Sequence, residues 1–337
     1  MVIIMKSLLM KSLIIVLLSV NTAFAASAVD PLPSWNDTAQ KQAIITFVEK
    51  VTKEGTPNFV PPAERIVTFD NDGTLWPENP TYFPQAFTID RIKALAPQHP
   101  EWKEQPLFKA VLEDNLETFF SAKSEERFAL EGIVRAGYTT EEFAQFVKDW
   151  SVTAKHPKTG RLYKEMVYQP MIELLTYLRA NGFKTFIVSG GWSDFIRPWA
   201  EEVYGIPPEQ VVGSGFKTQF ELRNGKPVLV FLPEINFIAE GPDKVIGINQ
   251  YIGRRPIASC GNSDGDKEML QLANSVSGAH LALLVHHTDA EREWAYDRTS
   301  RMGRLDKALD EAREKGWTVV DMKNDWKIIY AFEKKLK

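Results

Sequence analysis

Two carboxylates, Asp70 and Asp72, follow an apolar run at once in FDNDGT (69–74). Two positions apart on an extended chain they point the same way, so both can face one pocket. Alone, the pair suits an Asx turn that ends a strand, because Asp is common in turns. It also suits a reaction centre. Three further groups of polar residues and glycines recur downstream: IVSGG (187–191), GPDK (241–244) and GNSDGDKEM (261–269). Ser189 is not a serine-hydrolase nucleophile elbow, since Ile187 stands where the leading glycine is needed.

The elements between these groups place most of them at strand ends. Residues 37–54 read as an amphipathic helix, with Ala43, Ile44, Phe47 and Val51 at helical spacing. Residues 65–69 read as the first strand. After a Pro- and aromatic-rich stretch (76–87) come three helical segments, 108–120, 124–137 and 140–152. Thr139 and Glu142 form a capping box at the start of the last. From Gln169 the pattern alternates. A helix stops at Asn181-Gly182, followed by a strand over 183–189 and a helix over 193–205. Asn224-Gly225 predicts a small β-hairpin. Three further strands, 256–260, 280–285 and 317–322, are each preceded by a helix. The fold class is therefore α/β: a Rossmann-like parallel sheet with helices on both faces and a helical insertion after the first strand. In such sheets ligands bind beyond the carboxyl ends of the strands. Asp70 and Asp72 stand there.

Residues 1–25 read as a leader, with Lys6 and Lys11, an apolar run over 13–20, and Ala23-Phe24-Ala25 as a small-x-small cleavage site. Met1, Met5 and Met10 each precede this pattern, so any of them could be the start. Export to a periplasm or beyond is expected, with no stable membrane anchor after cleavage. The formal net charge is −4, and the leader carries two lysines and no acid, so the remainder is more acidic still. That balance argues against a nucleic-acid partner. A single cysteine, Cys260, excludes an intramolecular disulfide, so a large apolar core must supply stability.

The four groups, in this order and with this insertion, resemble the haloacid dehalogenase-like hydrolases, most closely the phosphoserine-phosphatase-like capped phosphatases. The resemblance divides the chain into a core (37–75 and 168–337) and a helical cap (76–167). It implies an Mg²⁺-dependent phosphatase acting on a small phosphate ester. Asp70 is then the nucleophile that becomes an aspartyl-phosphate, and Asp72 the general acid and base whose backbone carbonyl also reaches the metal. Ser189 and Gly190 bind the phosphoryl group, Lys244 offsets its charge, and Asp70, Asp72, Asn262 and Asp266 hold Mg²⁺. Dehalogenases share the nucleophile but need no acid at the second position, so Asp72 favours phosphatase.

Asn262 departs from the family pattern, which has an acid directly after the glycine. Either Asn262 ligates through its side-chain oxygen with Asp266 behind it, or Asp264 turns inward instead. On the first placement, an aspartate at 262 is expected to tighten Mg²⁺ about tenfold by adding charge. Trp76 is expected against the substrate, while Tyr82, Phe83 and Trp102 are expected to pack. The five histidines lack ligand spacing and are read as surface or capping residues. A phosphotransferase with the same intermediate, and a catalytically weak binding protein, are the rival functions.

Overall fold

Strand β1, Ile66–Phe69, is buried along its whole length, as an apolar run must be when helices cover both faces of its sheet. The computed structural model describes residues 29–335; the expected leader lies outside them. Helix α1 (Ala39–Thr52) precedes β1. Between β1 and the next strand come α2 (Phe83–Leu95), α3 (Pro106–Leu112), α4 (Leu116–Ser121), α5 (Ser124–Ile133), α6 (Thr140–Ser151) and α7 (Gln169–Ala180). Then follow β2 (Lys184–Trp192), α8 (Ser193–Tyr204), β3 (Val211–Arg223), β4 (Lys226–Phe237), α9 (Pro242–Gly247) and β5 (Ala258–Gly261). The last are α10 (Lys267–Asn274), β6 (Leu281–His286), α11 (Lys307–Lys315), β7 (Thr318–Asp321) and the single turn α12 (Met322–Asp325). No helix among the described residues is long and apolar enough to cross a membrane.

The seven strands form one sheet in the order β4-β3-β2-β1-β5-β6-β7. All neighbours are parallel except β3 and β4. The chain winds outward from β1 through β2 in one direction and through β5 in the other. The crevice above β1 and β5 is therefore the topological switch point, where open α/β sheets bind ligands. Asp70 follows β1 and Asn262 follows β5.

Two segments differ from the sequence expectation. The helix expected over 108–120 is broken into α3 and α4. Asp114 takes a left-handed φ of 58°, and the Asn115 side chain accepts from the Thr118 amide at 3.3 Å. Short Asx side chains tolerate that conformation and compete for helix-end amides. The hairpin is also longer than expected. Val211, Val212 and Gly213 first pair with β2 in parallel, and the strand then runs on against β4, turning at Asn224 and Gly225 (φ 53° and 76°). Gly213 and Gly215 hide this strand in the sequence. At Gly213 a Cβ would strike the Gly191 carbonyl oxygen and the Ser193 amide, so the close approach of two backbones requires the glycine.

The main core joins one face of the sheet, through Val67, Phe69, Ile187 and Cys260, to Phe83 and Phe87 of α2 and to Phe143 and Val147 of α6, while the other face packs in two smaller clusters around Val188 and Leu284. A further apolar cluster, including Ile92, Trp102, Phe108, Phe119 and Val134, lies entirely inside the insertion. Thr139 caps α6 as expected, accepting from the Glu142 amide at 3.1 Å while Glu142 accepts from the Thr139 amide at 2.8 Å.

Candidate active site

The loop after β1 folds back on itself. Asp70 continues the sheet pairing through its amide to the Cys260 carbonyl (2.9 Å), and the Asn71 carbonyl accepts from the Thr74 and Leu75 amides at 3.1 and 2.8 Å. Gly73 permits the turn with φ 77°. His287, expected as a surface or capping residue, is instead buried behind this loop. Its Nε2 lies 2.8 Å from the Gly73 carbonyl and its Nδ1 3.0 Å from Glu293 Oε2. Glu293 is fixed in turn by the Tyr168 hydroxyl at 2.9 Å.

Lys244, in the first turn of α9, is the cation of the site. Its Nζ lies 2.6 Å from Asp70 Oδ1 and 2.6 Å from Asp266 Oδ1, all three residues being buried. Asp266, expected among the metal ligands, is instead engaged through both oxygens: Oδ1 by Lys244, and Oδ2 by the Asn262 and Ser263 amides (2.9 and 3.0 Å) and Ser263 Oγ (3.2 Å). Burial alone would lower the Lys244 pKa, but Asp266, Asp70 and Glu240 outweigh it and hold the ammonium charged well above the usual lysine range. One lysine does not neutralise its neighbours. Burial and then repulsion from Asp266 raise Asp70 well above the usual carboxylate range, against the opposing pull of Lys244. Asp70 is therefore costly to ionise here despite its ion pair.

Asp72 is pushed up to about 6, chiefly by burial, with the Trp76 hydrogen bond opposing. That bond, Nε1 to Asp72 Oδ1 at 2.6 Å, defines the place of Trp76. Expected against the substrate, Trp76 is buried, stacked on Trp199 with ring centroids 4.4 Å apart, and absent from the pocket wall. An indole that follows the loop so closely can reach back to Asp72 and still pack its ring in the core. Ser189 is also buried, with Oγ accepting from the Gly191 amide at 3.0 Å. Gly190 and Gly191 line the pocket, and a Cβ at Gly191 would meet both Ser189 Oγ and Asp72 Oδ2.

On the far side of Asp70, Thr74 Oγ1 lies 3.4 Å from Asp70 Oδ2 and 3.1 Å from Asn262 Oδ1, drawing those two oxygens together. Asp264 turns away. Its Oδ1 accepts from the Asp306 and Ala308 amides at 3.0 and 2.8 Å, capping the start of α11. Asp264→Ala is therefore expected to cost about 1 kcal/mol of stability and to leave the midpoint of Mg²⁺ activation unchanged. Thermal unfolding and an Mg²⁺ titration check the two halves.

These residues fit a hard dication. Asp70 and Asn262 converge in oxygen atoms, and Asp72 stands beside them in a strongly anionic crevice. No three Asp, Glu, His or Cys side chains among the described residues form a ready-made cage. Mg²⁺ needs none, since it commonly takes one or two carboxylates and keeps several waters.

The crevice opens into a pocket of about 350 Å³ bounded by Asp70, Asp72, Gly190 and Lys244 on one side and by Tyr82, Arg127, Phe128 and Glu131 of the insertion on another. A larger groove, about 870 Å³, runs between α6, α8 and the β3–β4 hairpin and holds none of the motif residues. Residues of all four motif groups line the smaller one, among them Asp70, Gly190, Lys244 and Ser263. Glu78, Arg127, Glu131 and Glu240 reach this pocket from outside the motif groups. Glu240 directly precedes GPDK, and Glu78 is an isolated acid in the Pro- and aromatic-rich stretch beside FDNDGT.

Residues 67–271 match the family model described as haloacid dehalogenase-like hydrolase. No protein of curated function matches the chain. Among solved structures, a functionally unknown protein from Anaerococcus prevotii is similar at 18% identity, over 85% of this chain and 91% of that one, with a TM-score of 0.55. A protein of unknown function from Bordetella pertussis (16% identity, 77% of this chain, 99% of that one) superposes more loosely, at 0.47. A probable phosphoserine phosphatase from Vibrio cholerae (16%, 81% of this chain, 69% of that one) does so at 0.39. At these identities the likeness concerns the fold alone.

Proposed function

The chain belongs to the haloacid dehalogenase-like hydrolase family, and we propose that within it the protein is an exported, Mg²⁺-dependent phosphomonoesterase acting on a small phosphate ester. One observation carries the choice of phosphatase: Asp72, a buried acid with a pKa near 6, stands beside Asp70 at the mouth of the pocket. Expulsion of halide needs no proton, whereas expulsion of an alcohol does.

In the first step an Asp70 carboxylate oxygen attacks phosphorus, and the bond from phosphorus to the ester oxygen breaks. Asp72 gives its proton to the departing oxygen. In the second step Asp72 takes a proton from water, the resulting hydroxide attacks phosphorus, and the bond to Asp70 breaks to release phosphate. Lys244 sits 2.6 Å from the attacking group and offsets the charge brought by the phosphoryl oxygens. Ser189 Oγ and Asp72 Oδ2 both lie against Gly191, and Gly190 and Gly191 line the pocket, an arrangement that suits phosphoryl binding. Held by Asp70, Asp72 and Asn262, Mg²⁺ would neutralise the repulsion between the carboxylate and the phosphate dianion. The segment 76–167 acts as the cap, and Tyr82, Arg127, Phe128 and Glu131 form the wall that meets the leaving group.

Hydrolysis of p-nitrophenyl phosphate tests the reading. The purified protein should release p-nitrophenolate, EDTA should suppress the reaction, and added Mg²⁺ should restore it; activity indifferent to EDTA would remove the metal from the mechanism. The acid role fixes a pH dependence as well. The first step needs the proton on Asp72, so kcat/KM for an alkyl phosphate should fall about tenfold per unit above pH about 6 as the protonated fraction falls. Toward acid it should fall as well, because the attacking Asp70 is itself raised and takes up a proton. Asp72→Asn should abolish the alkaline slope and should spare p-nitrophenyl phosphate relative to the alkyl ester. Export is tested by N-terminal sequencing of the protein from a fractionated host.

A further inference from the structure

Glu78 has no ion-pair partner among the described residues, yet it is buried beside the catalytic loop. Its Oε1 accepts from the Asn262 side-chain Nδ2 at 2.8 Å and from the Tyr296 hydroxyl at 2.6 Å. Two glycines make room for it. A Cβ at Gly73 would collide with Glu78 and with Asn262, and a Cβ at Gly303 would collide with Glu78 and the Tyr296 ring. Both glycines have positive φ, 77° and 57°. Burial raises the Glu78 carboxyl well above the usual range, against the Tyr296 hydrogen bond, so its anion is expensive to keep without a compensating charge.

Its position supplies the reason. The family pattern calls for an acid at 262, this chain has an amide there, and a carboxylate stands one hydrogen bond behind that amide. The contact also orients Asn262: Nδ2 donates to Glu78, while Oδ1 accepts from Thr74 at 3.1 Å on the side of Asp70. Resting on the Mg²⁺-dependent reading above, we propose that Asn262 and Glu78 act as one divided ligand. Asn262 offers the oxygen to the dication, and Glu78 contributes the charge and fixes the amide. Glu78 is thus a positioning residue. Partners of this kind set metal affinity through the groups that touch the metal.

The pairing reverses the expectation for Asn262→Asp. With Glu78 present, the new carboxylate would face another carboxylate where a hydrogen bond of 2.8 Å now lies, so Mg²⁺ affinity should not rise. The test is calorimetric titration of the full protein with Mg²⁺ alone, alongside the Mg²⁺-induced rise in Tm. Glu78→Gln keeps an oxygen acceptor for Asn262 and Tyr296 and removes the charge, so Mg²⁺ should bind about 10–100-fold more weakly. The double variant Glu78→Gln/Asn262→Asp returns the charge to the ligand itself and should recover most of that loss. Wild-type affinity in Glu78→Gln, or no recovery in the double variant, overturns the division of roles. Absence of Mg²⁺ binding in the wild-type protein is a different failure. It would remove the metal-dependent function itself, which the EDTA assay reads independently.

Discussion

Asp70→Asn is expected to lower kcat by on the order of 10⁴–10⁶, the scale seen when a covalent nucleophile is lost, while leaving the fold intact. The carboxamide has the shape of the carboxylate and its oxygen can still accept from Lys244, but it cannot form the phosphoryl-enzyme bond. Stability should hold or rise in metal-free protein. Burial and repulsion from Asp266 already disfavour the Asp70 anion more than Lys244 favours it, so a neutral group of equal size relieves a cost. Single-turnover kinetics and thermal unfolding check the two parts. Turnover above about a hundredth of wild type, or a Tm several degrees lower, would sink the assignment.

Lys244→Met is expected to damage both activity and stability. The ammonium bridges Asp70 and Asp266 at 2.6 Å each. Its removal leaves two buried carboxylates facing each other without a cation, a loss of about 3–5 kcal/mol by the usual cost of breaking a buried pair. The pH dependence follows from the sign of the Asp70 shift. In the variant the cation that opposes this shift is gone, so the folded-state pKa of Asp70 rises further above the unfolded value near 4. The folded state then holds more protons than the unfolded one, and stability falls as pH rises from about 4 to 7. The deficit relative to wild type should therefore be largest at neutral pH, shrink toward pH 4, and be partly repaired by Mg²⁺. Turnover should fall by about 10²–10³, since one preorganised charge facing the phosphoryl group is lost. A variant as stable as wild type at pH 7 would show that the carboxylates are neutral there and that Lys244 carries no electrostatic load.

Much of this was open to reading from residue order. Asp70 and Asp72 are two apart after an apolar strand, and Lys244 and Asp266 stand at helix starts that local chemistry marks clearly, whereas Ser189, expected to end its strand, lies inside β2, which runs on to Trp192. The α/β alternation from Gln169 onward, the capping box at Thr139 and the turn at Asn224-Gly225 are likewise local signals, and the structure keeps each of them. Where local signals are weak, residue order does not show the element. The break at Asp114 depends on a backbone conformation with no motif, and β3 is masked by glycines needed only because another backbone passes close by.

The sequence by itself determined the family, the sheet-and-helix order and the residues with the chemistry to attack, protonate and neutralise, because each follows from residue type and short spacing. Only the tertiary structure decided how these residues meet. It buried Trp76 against Asp72, turned Asp264 to cap α11, set His287 behind Gly73, and put Glu78 against Asn262, 184 positions away in the chain. Such contacts arise where loops from different strand ends share one crevice. A side chain there is chosen for its partner across the gap, and nothing in its own neighbourhood along the chain records who that partner is.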